Sequence, residues 1–481
     1  MIRHFDLLII GAGVTGASIA RMMSRYQLKV GLMEKEEDVS FGTSKANSGI
    51  IHAGIHSSRG SLKAELECAG NREFDRLSDE LGFPFERRGE LMVAFSEEEV
   101  EIVNRYYERG LQNGIKGVEV LGRERTLEME PSLNPDIRGA LFAPTAGIIG
   151  PYEYCFALVE NAVANGVELF LKQKISRISQ CKNGLLEVES ENALILKTKF
   201  LVNAAGLYAD DIANLAGVGT FRINPRKGEE YLLDRRVGGL IRRIIFPVPS
   251  KNSKGMLVIP TVDGPVMVGP TAMDVESKTD FGTTHAGLEA VFKHAQKMVP
   301  AIRTNDIITS FVGLRPVADG NDFIIGATAL KGFINVAGIQ SPGLTASPAI
   351  AEKVKNILVG EGLGLEEKKD FSPRRERVPK IRPIVEKRNY EALESLIRKD
   401  KKYSKLVCRC ENITEAEIVA AIKKGHTTLD GIKFSSRAET GRCQGGFCTS
   451  RIMAIIERET GIPIEKISKK GEGSEVLLIK K

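Results

Sequence analysis

The sequence predicts an α/β protein in which a dinucleotide-binding domain is interrupted by an antiparallel β-sheet and followed by a small helical domain. Three observations predict this organisation. A glycine-rich turn joins a strand to a helix near the N-terminus, residues 221–326 are mostly strand-forming, and four cysteines lie close together in the C-terminal part. At 481 residues the chain is too long for one hydrophobic core, so we expect two or three domains.

The composition is that of an ordinary globular protein, with 42% hydrophobic and 27% charged residues. A net charge of +6 argues against a nucleic-acid-binding protein, which would carry a concentrated basic face. No apolar run approaches the length of about 18 residues that a membrane span needs. The first strand begins by Asp6, leaving no room for a signal peptide. We therefore expect a cytoplasmic protein, with peripheral association at the inner face of the membrane left open.

The N-terminal stretch has the order of elements that a dinucleotide site requires. An apolar run leads into the sequence GAGVTG, a helical pattern follows, and a second apolar run, Leu28–Met33, ends at Glu34. Gly11 allows the tight turn, Gly13 lets the backbone approach a pyrophosphate, and Gly16 lets the helix pack on the strand. The pyrophosphate is expected at the helix N-terminus, and Glu34 is expected to accept hydrogen bonds from a ribose.

The next segments alternate between helix and strand. We predict helices over about 62–81, 97–114 and 151–164, and a strand over 90–95. The third helix is closed by Asn-Gly, as is the second.

A group of short strands distinguishes between two kinds of dinucleotide domain. The stretches Val167–Ile178, Leu185–Ser190 and Ala193–Lys197 have strand composition, and Phe200–Asn203 ends in Asn-Ala-Ala-Gly. A meander that returns to an apolar strand is the crossover of glutathione-reductase-type flavin domains, whereas an NAD-type domain uses a helix there. This pattern favours FAD.

The inserted sheet and the return to the first domain follow. Met256–Pro260 and Val266–Gly269 flank Asp-Gly and predict a hairpin, and Ile307–Gly313 predicts a further strand. Strands at 323–325 and 333–337 return to the first domain. A glycine-containing approach at 338–345 then opens a helix over about 346–359.

The four clustered cysteines predict a metal centre. Cys408 and Cys410 are separated by one residue, and Cys443 and Cys448 by four. Zinc sites favour two to four intervening residues in each pair and fit this spacing poorly, whereas iron–sulfur clusters accept varied spacing. We favour a [2Fe–2S] cluster, with zinc and unliganded cysteines as the alternatives. A capping-box pattern at 414–417 predicts a helix nearby, and another is expected from Thr449.

The predicted fold class is an α/β FAD-binding domain of the glutathione-reductase-like Rossmann type with an inserted antiparallel β-sheet substrate domain and a small α-helical C-terminal [2Fe–2S] domain. The predicted boundaries are 1–85, 151–218 and 321–360 for the FAD-binding domain, 86–150 and 219–320 for the substrate domain, 361–405 for a basic, proline-containing linker, 406–462 for the ferredoxin-like domain and 463–481 for a C-terminal tail.

Several motifs together resemble the D-amino-acid-oxidase-like FAD superfamily. They are the GAGVTG turn, the acid at Glu34, GTSKANSGIIHAG at 42–54, NAAG at 203–206, GLRP at 313–316 and GIQSPGLTASPA at 338–349. Within it, residues 1–360 look like the FAD-dependent glycerol-3-phosphate dehydrogenases of the anaerobic subunit-A type. SGIIHAGIHSSRGSLKAEL is also very similar to L-2-hydroxyglutarate oxidases and dehydrogenases. Residues 405–460 resemble the bacterioferritin-associated-ferredoxin-like [2Fe–2S] domain.

The resemblance implies which residues hold the cofactors. Cys408, Cys410, Cys443 and Cys448 would bind the cluster. The residues implied to contact FAD are Gly11, Gly13, Gly16, Glu34, Lys35, Thr43, Ser44, Asn47, Ser48, Gly49, Ile175, Gly206, Gly343, Leu344 and Thr345.

Oxidation of a secondary alcohol by a flavin needs a base for the hydroxyl proton and cations for an acidic substrate tail. His52, in the segment expected to face the flavin, is the best candidate for the base; the alternative is a histidine that only packs there. Arg315 is the best anion anchor and the second catalytic candidate. Further substrate-binding candidates are Arg59, Lys63 and Lys227. The histidines expected at the surface are His4, His285, His294 and His426.

The leading functional hypothesis is an enzyme that oxidises sn-glycerol 3-phosphate to dihydroxyacetone phosphate in glycerol metabolism, passing electrons through the cluster to a redox partner. A close alternative is the same chemistry on a 2-hydroxy acid such as L-2-hydroxyglutarate. An amine substrate fits the cysteine domain but not the GTSKANSGIIHAG segment. A non-catalytic FAD and iron–sulfur electron-transfer subunit is the alternative from another class. The cluster favours a dehydrogenase over an oxidase, and we expect an oligomer.

Overall fold

A computed structural model describes residues 3–249 and 255–477. The chain divides into two compact units. The first consists of Met1–Lys35 and Val39–Arg375, and the second of Glu36–Asp38 and Glu376–Lys481. The division after Arg375 falls within the predicted linker, 361–405.

Most of the β-strands of the described chain lie in the first unit. The strands of the described chain are β1 (Arg3–Ile10), β2 (Val30–Met33), β3 (Ile50–Ile51), β4 (Phe85–Arg87), β5 (Glu90–Ala94), β6 (Glu119–Gly122), β7 (Gly139–Ala143), β8 (Gly147–Ile149), β9 (Glu168–Phe170), β10 (Ile175–Gln180), β11 (Leu186–Ser190), β12 (Ile195–Asn203), β13 (Ile223–Leu233), β14 (Ile244–Pro247), β15 (Leu257–Pro260), β16 (Val266–Gly269), β17 (Met273–Asp274), β18 (Ile307–Ala318), β19 (Ile324–Ala327), β20 (Phe333–Ala337), β21 (Leu406–Cys408) and β22 (Ile413–Thr414).

Helices connect these strands and supply most of the regular secondary structure of the second unit. They are α1 (Val14–Met23), α2 (Leu62–Asn71), α3 (Phe74–Leu81), α4 (Glu97–Gln112), α5 (Arg123–Met129), α6 (Pro151–Ala164), α7 (Ala209–Leu215), α8 (His285–Met298), α9 (Gly343–Gly360), α10 (Ile381–Glu386), α11 (Tyr390–Lys399), α12 (Glu415–Lys423), α13 (Leu429–Ser436) and α14 (Thr449–Thr460).

The first sheet has the predicted parallel centre. β1 runs parallel to β2 and β12, β2 runs parallel to β9, and β12 runs parallel to β20. Leu7, Leu8 and Ile9 of β1 are fully buried, as expected for a strand covered on both faces. Helix α1 packs against α6 and α9. The strand–turn–helix–strand unit predicted from the first residues is confirmed.

The predicted β-meander is also confirmed, with changes in its strands. β10, β11 and β12 are antiparallel neighbours. The predicted single strand 167–178 was wrong. Lys172 has a φ of +60°, and the chain turns there, so that β9 joins the parallel sheet and β10 starts the meander. The two strands predicted at 193–203 are one strand, β12, whose first half pairs with β11 and whose second half pairs with β20.

The helix predicted over 62–81 is instead two helices, α2 and α3. A Cβ atom on Gly70, near the end of α2, would lie 2.1 Å from the carbonyl oxygen of Thr345. The next residue, Asn71, uses its side-chain amide to donate a hydrogen bond of 2.7 Å to the carbonyl oxygen of His52. The end of α2 is therefore fixed against α9 and against the segment that carries His52, and the chain changes direction.

The inserted sheet has nine strands within the described residues and combines both insertions. β13 pairs with β18 along most of its length, and β15 and β16 form the predicted hairpin. The sheet is not wholly antiparallel as expected, because β14 runs parallel to β5 with Ile244 opposite Glu90. These two strands come from different insertions, so no tight turn constrains their direction.

The second unit contains its own core around α12, α13 and α14. The Thr414–Glu417 capping box is present at the start of α12, and α14 starts at Thr449 as predicted. Residues 361–405 are more regular than their composition suggests, since they include α10 and α11. Within the described residues, no helix is long and apolar enough to cross a membrane.

Candidate active site and cysteine centre

The glycine turn after β1 leaves no room for side chains. A Cβ on Gly16 would lie 1.9 Å from the carbonyl oxygen of Gly11. Gly11 has a φ of +100°, and a Cβ there would lie 2.5 Å from the carbonyl oxygen of Ala204 in the NAAG segment. The turn therefore packs against the end of β12, and its backbone leads directly into α1. This cradle fits the pyrophosphate of a dinucleotide.

Glu34 holds the same turn from the end of β2. Its Oε2 atom accepts a hydrogen bond of 2.8 Å from the backbone N–H of Ala12. The backbone N–H of Gln173 donates to the Glu34 carbonyl oxygen at 2.8 Å, so the approach to β10, and with it Ile175, lies beside this acid. Both predicted adenosine-side residues are therefore at one end of the glycine turn. The adjacent Lys35 is exposed, with its Nζ 4.8 Å from the ring centroid of Tyr208.

Residues 43–52 link the N-termini of two helices. At one end, Ser44 Oγ accepts a hydrogen bond of 2.9 Å from the backbone N–H of Val14 in α1. At the other end, the backbone N–H of His52 donates to Thr345 Oγ1 of α9 at 3.0 Å. The N-cap residues of these helices, Gly13 and Pro342, supply no side-chain cap, and neither helix has an acid in its first turn. Two helix N-termini with their partial positive charge thus lie along one segment, which fits an anionic flavin dinucleotide.

The same segment packs against β18 of the inserted sheet. Thr43 Oγ1 donates a hydrogen bond of 2.6 Å to the carbonyl oxygen of Leu314. A Cβ on Gly313 would lie 2.1 Å from the carbonyl oxygen of Ala46, so only glycine permits this approach. The segment is therefore held between β18 and the N-termini of α1 and α9.

The other predicted cofactor residues belong to the 43–52 segment, to the end of β12 or to the start of α9. Asn47 Oδ1 accepts from the Gly49 N–H at 3.0 Å, and Gly49 has a φ of +60°. Gly206 has a φ of +58°, with open space where a Cβ would stand. The residues that begin α9 are Gly343, Leu344 and Thr345.

His52 is buried at the end of this segment. Its Nε2 lies 3.2 Å from Ser341 Oγ, just before α9, and its backbone is fixed by the bonds from Asn71 and to Thr345. Only 7% of the residue is exposed. The ring is therefore held in one place beside the approach to α9, as a base that must meet a bound substrate would need to be.

Arg315 lies on the face of the inserted sheet that meets the segment. In the β13–β18 pair, Arg315 stands opposite Arg226, and a Cβ on Gly228 would lie 2.8 Å from Arg315 Nη2. Arg315 Nη2 donates to the carbonyl oxygen of Thr271 at 3.0 Å. Burial lowers the pKa of Arg315, and the charge of Glu230 on the same face opposes this change.

Glu230 joins Arg315 to the cofactor segment. Ser48 Oγ donates a hydrogen bond of 2.5 Å to Glu230 Oε1. Burial raises the pKa of Glu230 to about 7, against the opposing effects of the Ser48 hydrogen bond and the Arg315 charge. This carboxyl group therefore changes its charge close to neutral pH. Glu230 was not among the candidates selected from the sequence, although two adjacent glutamates in the strand-forming stretch 221–326 were a usable signal.

The remaining substrate-binding candidates do not join Arg315. Lys227 alternates with Gly228 along β13 and so points to the opposite face, where its Nζ lies 2.6 Å from Asp280 Oδ2. Lys63 Nζ donates to the carbonyl oxygen of Asn321. Arg59 is exposed. Sheet alternation thus places Lys227 and Arg315 on opposite faces of the inserted sheet, and substrate binding by Arg59, Lys63 and Lys227 stays a prediction.

The four clustered cysteines meet in the second unit as two pairs. Cys410 Sγ and Cys443 Sγ are 3.5 Å apart, and these two residues are partly exposed. Cys408 and Cys448 are buried and hydrogen-bonded to each other. The bond from Cys448, helped by backbone N–H groups of Glu439 and Glu411, lowers the pKa of Cys408 to about 6.

This arrangement fits an iron–sulfur cluster. A Cβ on Gly441 would lie 2.3 Å from Cys410 Cβ, so the loop can close around the sulfurs only with glycine at this position. The backbone N–H groups directed at Cys408 are donors of the kind that stabilise an anionic thiolate cluster. In the same unit the surface prediction for His426 was wrong. The residue follows the end of α12 and is buried, with Nδ1 2.7 Å from Asp38 Oδ2.

Comparisons with known families agree with both sites. The family described as "FAD dependent oxidoreductase" matches residues 6–357, which is most of the chain. The family described as "BFD-like [2Fe-2S] binding domain" matches residues 406–458, and this range contains the four clustered cysteines.

Three individual proteins give more detail. The chain is 46% identical to a glycerol 3-phosphate dehydrogenase of Caloramator mitchellensis, and the match covers 98% of both chains. It is 28% identical to a mitochondrial L-2-hydroxyglutarate dehydrogenase of Nematostella vectensis, over 73% of this chain and 90% of the other. The solved structure of dithionite-reduced L-alpha-glycerophosphate oxidase from Mycoplasma pneumoniae with FAD bound superposes with a TM-score of 0.75 at 32% identity, covering 79% of this chain and 100% of the other.

The raised pKa of Glu230 predicts a pH-dependent stability. In the unfolded chain Glu230 ionises near its ordinary value of 4.5, whereas in the folded apoprotein it keeps its proton until about pH 7. The folded state should therefore lose stability as the pH rises between these values, by up to on the order of 3 kcal/mol. Glu230→Gln removes this dependence. Urea unfolding of both apoproteins at about pH 5 and about pH 8 measures it. A difference between the two proteins that stays constant with pH would contradict the assignment.

Proposed function

We propose that this chain, which belongs to the FAD dependent oxidoreductase family, oxidises sn-glycerol 3-phosphate to dihydroxyacetone phosphate. Its cofactors are FAD and, in the C-terminal domain, a [2Fe–2S] cluster. The observation that carries the proposal is the near-full-length similarity to the Caloramator glycerol 3-phosphate dehydrogenase. Bound FAD supplies an acceptor for the hydride of the substrate carbinol carbon, and the cluster supplies one-electron transfer to an external acceptor.

Arg315 is the proposed anchor for the substrate phosphate. A guanidinium group binds phosphate oxygens with two parallel hydrogen bonds, and its charge acts strongly in a buried position. The neighbouring Glu230 would compete for this charge if it were ionised. Because its pKa is raised to about 7, Glu230 can hold a proton and leave the charge of Arg315 to the phosphate. A bound dianion would raise the pKa of Glu230 further.

His52 is the proposed base for the substrate hydroxyl group. A neutral imidazole can accept this proton at physiological pH. The hydrogen bonds that fix the backbone of His52 keep its ring beside Ser341, and burial excludes most water from it. The residues of the segment from Thr43 to Gly49 then orient the cofactor against the same ring. The chain's contribution is therefore orientation, charge pairing and one proton transfer.

L-2-hydroxyglutarate is the second candidate substrate. The likeness of the His52 segment to hydroxyglutarate-oxidising enzymes and the Nematostella relative favour it. Arg315 could hold a carboxylate in the same bidentate way as a phosphate. The anion anchor alone therefore does not choose between the two substrates.

The proposed electron path favours a dehydrogenase over an oxidase. An external redox partner that accepts electrons from the cysteine domain is part of the proposal. An oligomeric state, a cytoplasmic location and peripheral association with a membrane remain predictions from the sequence.

A substrate panel tests the proposal directly. The FAD- and cluster-loaded protein is mixed without oxygen with sn-glycerol 3-phosphate, L-2-hydroxyglutarate or a secondary-amine acid, and the visible flavin absorbance is followed. We expect rapid loss of absorbance with glycerol 3-phosphate and none with its sn-1 enantiomer. With the phosphate on Arg315 and the C2 hydroxyl on His52, only one enantiomer would direct its C2 hydrogen towards the flavin. Loss of absorbance with L-2-hydroxyglutarate alone would overturn the substrate assignment, and no loss with any substrate would overturn the catalytic proposal.

The role of His52 has its own test. His52→Asn removes the proton acceptor but keeps a polar side chain, so the rate of flavin reduction by the substrate should fall by roughly 10² to 10⁴ while FAD stays bound. The control is His294→Asn on the exposed face of α8, which should leave the rate unchanged. Stopped-flow absorbance measures the rates, and the flavin spectrum measures the bound FAD. An unchanged rate in the His52 variant would remove this residue from the role.

A further inference from the structure

The buried acid Glu90 lies close to His52. Glu90 begins β5, in the middle of the inserted sheet, and is completely buried. Its strand neighbours in register are Ala143 of β7 and Ile244 of β14, which are both apolar. A carboxylate taken out of water in such surroundings is costly unless a positive group compensates it.

Two histidines lie at or slightly beyond hydrogen-bonding distance of the Glu90 carboxylate. His56 Nε2 lies 3.5 Å from Glu90 Oε1, with 2% of the His56 side chain exposed. One nitrogen of His52, one of His56 and one oxygen of Glu90 all lie within 4.8 Å of one another. The ring centroids of His52 and His56 are 5.8 Å apart, and both rings contact Phe246.

Other polar groups lie at the edge of this cluster. Tyr106 of α4 has its ring centroid 6.0 Å from that of His56. Arg109 of the same helix donates to the backbone oxygen of His56 at 3.3 Å, and its guanidinium lies over the Tyr106 ring. Ser341 contacts His52 from the approach to α9. Among these groups Glu90 is the only one with negative charge, and Arg109 acts in the opposite sense.

We propose that Glu90, together with His56, is a positioning residue that stabilises the positive charge forming on His52 when His52 takes the substrate hydroxyl proton. This inference rests on the proposed role of His52 as the base. In the step, the O–H bond of the substrate breaks and its proton binds a ring nitrogen of His52, while the carbinol hydrogen leaves with its electron pair to the flavin. Glu90 forms no covalent bond and gives up no proton. Its charge makes the imidazolium form of His52 more favourable.

The charge of Glu90 should also change how the rate of flavin reduction depends on pH. The rate of flavin reduction falls at acidic pH as His52 becomes protonated before substrate arrives. A carboxylate within 4.8 Å of His52 favours the protonated ring and so holds this acid limb at a higher pH. Removing the charge weakens the base and moves the limb to lower pH.

Glu90→Gln in the FAD- and cluster-loaded enzyme tests the inference. We expect the acid limb of the flavin reduction rate with glycerol 3-phosphate to move down by about one pH unit, and the plateau rate to fall roughly tenfold. Glu90→Asp keeps the charge but withdraws it by one methylene, so the same changes should be smaller. Thermal unfolding and FAD content check that each variant is folded, and Glu90→Asp serves as the test if Glu90→Gln does not fold.

Glu67→Gln is the matched control. Glu67 is also completely buried, but its Oε2 accepts a hydrogen bond of 2.6 Å from Ser57 and it does not belong to the His52 cluster. This variant should lose stability without moving the acid limb.

An acid limb that stays in place in both Glu90 variants, or moves equally in the Glu67 control, would overturn the inference. So would stoichiometric zinc in the wild-type enzyme, beyond the iron of the cluster, that Glu90→Gln removes. Failure of the substrate proposal looks different, because the wild-type enzyme would then show no reduction by glycerol 3-phosphate.

Discussion

The attachment of residues 43–52 to two helix N-termini is the constraint on which the rest of the site depends. Ser44 ties the segment to α1, and Thr345 ties it to α9. Glycines permit the close contacts at both ends of this arrangement, at Gly16 in the turn and at Gly70 against α9. The partial positive charge of two helix N-termini then lies along one path, which fits the proposed positions of the flavin and the substrate beside His52.

Two buried glutamates, Glu230 and Glu90, are the second feature of the site, and their proposed roles are opposite. Glu230 faces Arg315, and burial raises the pKa of this acid to about 7, so that the pair can release its cation to an anionic substrate. Glu90 faces His56 and His52, where an ionised carboxylate would stabilise the positive charge that forms in the proposed proton transfer. The inserted sheet therefore contributes both the proposed anchor for the substrate and the environment of the proposed base.

The sequence was sufficient for the parts of the site that depend on local geometry. The glycine turn, the acid at Glu34, the β-meander and the cysteine spacing each need particular residues at fixed intervals, and all were found. The parts that depend on which strands become neighbours were not. Glu90 of β5 meets His56 of the segment between β3 and α2, and Lys227 points away from Arg315 because the two occupy alternating positions in paired strands. No periodicity within one segment contains this information.

We propose that electrons taken from the substrate at the flavin reach the [2Fe–2S] cluster. The ligands of this cluster would be Cys408, Cys410, Cys443 and Cys448. Electron paramagnetic resonance of the loaded enzyme, frozen at successive times after anaerobic mixing with glycerol 3-phosphate, tests it most directly. We expect the signal of a reduced [2Fe–2S] cluster to grow as the flavin absorbance falls. A Cys443→Ser variant should lose the signal but keep the absorbance change. Complete loss of flavin absorbance in an iron-loaded wild-type enzyme whose cluster stays oxidised would contradict it.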